Sequence, residues 1–167
     1  VGLGLMYQVG LQTRADLGDS APKNPSQGVL EILVEQQGRT GKRDGLGFYD
    51  YEESTKSLWG GLGEHFPVEE AQPSASDLIE RFLYVQAIEA ARCVDEGVVI
   101  AKEDVDVGAI LGWGFAPYTG GPLSYIDGIG VDKFVARADE LASRLGERFK
   151  PPELLRKMAS EGTSFYD

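Results

Sequence analysis

The residues that could do chemistry are few and scattered. Gly41-x-x-x-Gly45-x-Gly47, with Lys42 and Arg43 between its glycines, has the composition of a phosphate loop. Such a loop must follow a buried strand and open a helix, so that backbone N–H groups converge on the anion. Here the glycines run into Phe48-Tyr49, and a turn needing positive φ is the better reading. Gly112-x-Gly114 follows a helical pattern and not a strand, so it is no dinucleotide fingerprint. His65 is the single histidine, with Glu64 beside it in an irregular stretch. Without a nucleophile or carboxylate held against it, it reads as a surface or boundary residue. Asp104-Val105-Asp106 is a carboxylate pair lacking a third ligand. A helix cap from Asp104 and a salt bridge from Asp106 are the expected uses. Asp127, next to Gly128, is expected to bond local backbone at a turn. Glu89, among Arg92, Asp95 and Glu96, joins helix-surface pairs or turns inward as a polar anchor. Cys93 stands alone, which excludes an internal disulfide and a cysteine-based zinc cluster, and reads as a small buried hydrophobe. The residues thus present no nucleophile–base pair, no metal cluster and no cofactor loop.

The elements that would position these groups are mainly helical. Of 167 residues, 42% are hydrophobic and 26% charged, a composition that supports a packed core. The net charge of −11 argues against nucleic acid and anionic membrane as partners, since both are polyanions. No apolar run approaches the roughly 20 residues of a membrane span, and the apolar start Val1–Met6 lacks the basic region of a signal peptide. The cytoplasm is the default location.

A helix interrupted by Gly4 and Gly10 is expected over Leu3–Ala15. A second starts near Pro25 and Ser26, with Val29, Leu30, Leu33 and Val34 on one face and Gly38 as its stop. Phe48, Tyr49 and Tyr51 suit a short extended segment, and residues 52–74 read as irregular. The strongest helix runs from Asp77 to about Glu96. Ser74 or Ser76 caps it, Glu80 completes a capping box, and its wide apolar stripe marks a central core helix. Further helices are expected over Ala101–Leu111, from Gly120-Gly121-Pro122 to Gly128, over Asp132–Leu145 and over Pro151–Ala159. No alternating strand–helix–strand signature is present.

The chain also echoes itself. Val1-Gly2-Leu3 followed by Met6, Val9 and Leu11 matches Ile129-Gly130-Val131 followed by Phe134, Val135 and Ala138. Pro25 and Pro151-Pro152 each lead a short apolar helix, and the two stretches close in Phe48-Tyr49-Asp50 and Phe165-Tyr166-Asp167. This reads as the second half of one module (residues 1–53), an irregular linker (54–73) and a complete second module (74–167).

These residues carry a family resemblance. Arg39-Thr40-Gly41-Lys42-Arg43-Asp44-Gly45-Leu46-Gly47-Phe48-Tyr49-Asp50-Tyr51 resembles the RTGxKxGxGFYxY signature of the 3-hydroxyacyl-CoA dehydrogenase C-terminal domain. Arg81–Gly97 is similar to that domain's long first helix. Asp104-Val105-Asp106, Gly112–Pro117, Gly120-Gly121-Pro122 and Tyr125-Ile126-Asp127 resemble its DVD…GxGFPxxxGGPxxxxD run. Tandem copies resemble the C-terminal end of the multifunctional fatty-acid oxidation α-subunit. The resemblance implies a mainly α fold of that C-terminal domain type, with one partial and one complete copy. It implies NAD-dependent oxidation of a 3-hydroxyacyl-CoA in the full-length enzyme, with the His–Glu pair, the serine and the dinucleotide loop outside this chain. The family's catalytic asparagine falls at Glu80, before Arg81, and Glu80 cannot donate amide hydrogen bonds. The complete copy is therefore expected to be the non-catalytic one. No catalytic, cofactor-binding or metal residue is expected within these 167 residues. NAD and acyl-CoA belong to the full-length enzyme, and the expected partners are its NAD-binding domain and, through the bare apolar face of Leu5, Met6, Val9, Val29 and Leu33, copy two or a neighbouring chain in a homo-oligomer. The alternatives are a freestanding helical binding or oligomerisation module, and a small hydrolase or metal enzyme built on His65.

Overall fold

A computed structural model describes residues 2–22 and 24–166; Val1, Lys23 and Asp167, and with them the two ends of the self-match, lie outside the described residues. The chain divides into two compact units, Val1–Ala71 and Gln72–Asp167.

In the first unit α1 (Leu3–Leu17) carries Gly4 and Gly10 without a break and ends at Gly18. α2 (Ser26–Leu30) continues into a π-helical turn, Glu31–Gln36, where Gln37 N donates to Ile32 O. Ser26 opens this helix and does not cap it: Asn24 Oδ1 accepts Ser26 N (3.1 Å) and Ser26 Oγ (2.8 Å). Tyr7 donates its hydroxyl to Glu35, tying α1 to the π turn; that hydrogen bond holds the Tyr7 phenol above its ordinary range. The stretch expected to be irregular contains two short elements. β1 (Tyr49–Tyr51) pairs antiparallel with β2 (Lys56–Leu58) in the register Tyr49↔Leu58, and α3 (Leu62–His65) follows. A three-residue exposed strand has no periodicity of its own; its cross-strand partner defines it.

The second unit is a helical bundle. α4 (Ala75–Asp95) is capped by Ser74, whose Oγ accepts Asp77 N at 3.1 Å. Asp77 occupies the third helical position and pairs with Arg81, so Glu80 is too far along to close a capping box. α5 (Lys102–Trp113), α6 (Pro122–Ile129), α7 (Val131–Leu145) and α8 (Glu153–Glu161) complete the bundle. Tyr84 of α4 stacks on Phe134 of α7, with centroids 4.3 Å apart and planes within 5°, and Tyr125 of α6 meets both rings edge-on. Burial pushes the phenols of Tyr84 and Tyr125 upward. Ile88, Leu123, Ile126, Leu141 and Leu155 fill the space around this aromatic centre. Only part of the α4 stripe enters it. Leu83, Tyr84, Ala87, Ile88 and Ala91 are buried, whereas Leu78, Ile79 and Phe82 face outward, as do Val107 and Leu111 of α5. Cys93 is half-buried, and Glu89 lies on the surface paired with Arg92 and is no inward anchor.

Candidate functional site

The densest polar constellation centres on Asp106. Its carboxylate, buried to 4% exposure, accepts Leu123 N (2.7 Å), Ser124 N (3.1 Å) and Ser124 Oγ (2.6 Å). These are donors of the first turn of α6, so Asp106 caps a helix from across the bundle, where charge and helix dipole also agree. The expected salt bridge is replaced by this cap, and Asp104 is an exposed residue of the first turn of α5. Gly121 permits the approach: its φ is +125°, and a Cβ there would lie 2.3 Å from Asp106 Cβ and Cγ. The Asp-Val-Asp and Gly-Gly-Pro motifs are thus the two halves of one joint.

Asp127 forms a second joint. It bonds no local turn; its two oxygens accept Phe165 N (3.0 Å) and Tyr166 N (2.8 Å) at the far end of the chain. Lys102 closes the clasp from α5, donating to Phe165 O with its ammonium 5.6 Å from the Tyr166 ring centre. Burial and then the Asp106 charge raise the Tyr166 phenol above its usual range.

Glu80, the position of the family's asparagine, is held by Arg137 of α7 through paired hydrogen bonds of 3.0 and 2.5 Å. Arg137 also pairs with Glu140, and the two carboxylates hold its guanidinium firmly protonated. In this arrangement Glu80 ties α4 to α7 and has no free amide-like donor to offer a substrate.

The glycine-rich run of the first unit is organised by Arg39, the buried first residue of the Arg-Thr-Gly signature. Its guanidinium donates to Gly47 O (2.6 Å), Tyr49 O (3.2 Å) and the Asp50 carboxylate, and lies 4.5 Å over Trp59. Gly41 and Gly45 adopt positive φ, as a turn requires. Gly41 N donates to Leu46 O at 2.7 Å, so the amide a phosphate would need is already bonded. The run leads to a hairpin, and Gly114 ends α5 with left-handed geometry. Neither run fits a dinucleotide. His65 stacks on Trp59 at 5.5 Å, half-buried and beside Phe66. Among the described residues, no three His, Cys, Asp or Glu side chains converge as a metal site.

An apolar face remains. Leu78, Ile79 and Phe82 of α4 lie with Tyr118 around a groove floored by Leu83 and Phe115. Leu111 and Trp113 of α5 are also exposed, and Trp113 Nε1 donates to Gln86 Oε1 of α4 at 3.2 Å.

Fold and site together define an α-helical domain whose polar motifs hold backbone, with an apolar face left bare. Residues 78–164 match the family model of the 3-hydroxyacyl-CoA dehydrogenase C-terminal domain, and the chain belongs to that family. The chain is 36% identical over 139 residues to the fatty acid oxidation complex subunit alpha of Vibrio parahaemolyticus, a match covering 83% of this chain and 20% of that protein. With the same subunit of Pseudomonas savastanoi pv. phaseolicola it shares 35% over 177 residues, covering 97% of this chain and 24% of that one. The chain therefore spans about a fifth to a quarter of the length of the curated relatives it matches. Among solved structures, the dehydrogenase part of multifunctional enzyme 1 from C. elegans aligns with a TM-score of 0.59 at 20% identity, over 90% of this chain and 36% of that one. That likeness shows the fold.

Proposed function

We propose that this chain is the C-terminal helical scaffold of an NAD-dependent 3-hydroxyacyl-CoA dehydrogenase of fatty-acid β-oxidation, and that it holds none of the reacting groups itself. The observation that carries the reading is the use of the motif residues. Asp106, Gly121 and Asp127 serve backbone joints, and Glu80 is engaged by Arg137. The exposed face of α4 and α5 then serves as a packing surface for the rest of the enzyme, because large bare apolar areas are contact surfaces. Residues 1–53 are read as the second half of a first copy, 54–73 as a linker and 74–167 as the complete second copy. α1 and α7 support this, each being 15 residues long, as does the matching φ of Gly38 (66°) and Gly162 (67°) at the ends of the helices that follow. NAD and acyl-CoA would be held by the upstream part of the enzyme. The cytoplasm suits this reading, and no described helix is long and apolar enough to cross a membrane.

The test compares the 167-residue chain with the full-length product of its gene. The full-length protein should reduce NAD in the presence of a 3-hydroxyacyl-CoA, and the short chain should not. NADH production by the short chain, or a folded full-length protein that makes none, overturns the proposal.

A further inference from the structure

Residues 163–166 leave α8 through Gly162, whose φ is +67°, and form a strap without regular structure. Among the described residues, the strap's only main-chain hydrogen bond to the rest of the unit is Thr163 N to Met158 O (3.0 Å), at the helix end. Ser164 Oγ donates to Tyr166 O (2.6 Å) within the strap itself. The polar contacts that fix Phe165 and Tyr166 come from side chains of other helices. Asp127 of α6 accepts both N–H groups, and Lys102 of α5 donates to Phe165 O. Phe165 is 4% exposed and belongs to the core, while Thr163 and Ser164 lie on the surface.

This seat reads a peptide and not a helix end. The N–H, C=O and N–H of two consecutive residues meet a carboxylate, an ammonium and the same carboxylate; the Phe165 ring enters the core and the Tyr166 ring lies 5.6 Å from the ammonium. None of these contacts uses the covalent link to α8. Nor does the strap hold its own shape. Phe48-Tyr49-Asp50 repeats Phe165-Tyr166-Asp167, yet in the first unit Tyr49 is a hairpin residue paired with Leu58, and Phe48 is 39% exposed. The seat supplies the order, and a segment fastened by three side-chain bonds and one buried ring opens more easily than helices with full hydrogen-bond ladders.

We propose that residues 163–166 are a releasable strap, and that the vacated seat, framed by Lys102 and Asp127, is a binding site for a short peptide segment carrying adjacent Phe and Tyr. The strap is then a built-in competitor. Tethered through two exposed residues, it is present at about millimolar effective concentration and keeps the site shut. Its closed state lowers the affinity for any outside segment by the factor that favours closure.

The test measures that factor in two ways on the full-length protein. Amide exchange of residues 163–166, compared with residues 131–145 of α7, reports how often the strap opens, and it should open at least about tenfold more often than α7. A fluorescein-labelled peptide of residues 163–167 is then titrated into the wild-type protein and into the double variant Phe165→Ala/Tyr166→Ala. The wild type should bind it more weakly, by the factor that exchange gives. Adding Asp127→Ala to the double variant should weaken the peptide about tenfold. Strap exchange only in step with α7, equal affinity or no binding in the two proteins, or binding unchanged by Asp127→Ala overturns the proposal. Loss of α7 protection in the double variant overturns it as well, because the bundle would then not stand without its strap.

Discussion

α1 and α7 are helices of the same length in different surroundings. α7 buries Val131, Phe134, Val135, Ala138 and Leu141 within a bundle built around three aromatic rings. α1 buries only Tyr7, and leaves Leu5, Met6 and Val9 on the surface of a unit held together by α2, the π turn and the Arg39 loop. A helix of this length does not carry its stability in its own propensity; what packs on its apolar face decides it. The second unit covers that face from within, and the first depends more heavily on a few polar joints. The two tryptophans allow the units to be followed separately, Trp59 in the first and Trp113 in the second.

The largest expected effect belongs to the second unit. Asp106→Ala leaves one buried and one part-buried N–H group of α6 without their charged acceptor, and should destabilise that unit by about 3 kcal/mol. The measurement is a urea melt followed by Trp113 fluorescence in a Trp59→Phe background. The Trp59 transition, read in a Trp113→Phe background, should not move; an equal shift there would dissolve the distinction between the units. Arg39→Ala comes next. It removes three hydrogen bonds and a cation–π contact, and should cost the first unit about 2–3 kcal/mol by the Trp59 signal alone. An unchanged Trp59 midpoint would mean that the first unit is held by something other than its Arg39 loop.

Smaller effects sharpen how α7 is tied in. A double-mutant cycle on Glu80→Ala and Arg137→Ala should give a coupling of about 1 kcal/mol, because both partners are only partly shielded from water. A coupling near zero would leave the aromatic stack as the link between α4 and α7. Smallest is the pair of Asp139 with Arg156, at 2.9 and 2.6 Å. Arg156 holds the Asp139 carboxyl below its ordinary range. The folded pKa is then below the unfolded one, so the contribution is present above the unfolded value and lost as pH falls through the folded one. Asp139→Asn should lower stability at neutral pH by a few tenths of a kcal/mol, since Asp139 is substantially exposed, and the difference should vanish in acid. A difference that persists in acid would assign the effect to packing.

Much of the helical layout was legible in the chain. Periodic apolar positions located α4, α7 and α8, and Gly38, Gly97 and Gly162 follow helices in left-handed geometry. The motif residues were legible as a family signature, but their roles were not. Asp106 was read as half of an ion pair and Asp127 as a local turn residue, whereas both reach backbone donors on other segments. Arg39 was legible as the first residue of the family signature, but its burial was not, because nothing local marks an arginine for burial. The outward position of Leu78, Ile79 and Phe82 was hidden for a similar reason: a wide apolar stripe does not say which part of it a neighbour covers.

By itself the sequence determined the mainly helical class, the helix stops, the absence of a dinucleotide fingerprint in either glycine run and the family to which the chain belongs. These follow from local rules of backbone freedom, periodicity and motif order. Tertiary structure alone decided which apolar faces are covered, which carboxylate caps which helix, and which arginine is buried beneath the glycine-rich run. Those outcomes turn on groups far apart in sequence, and only packing brings Asp106 to α6, Asp127 to Phe165 and Glu80 to Arg137.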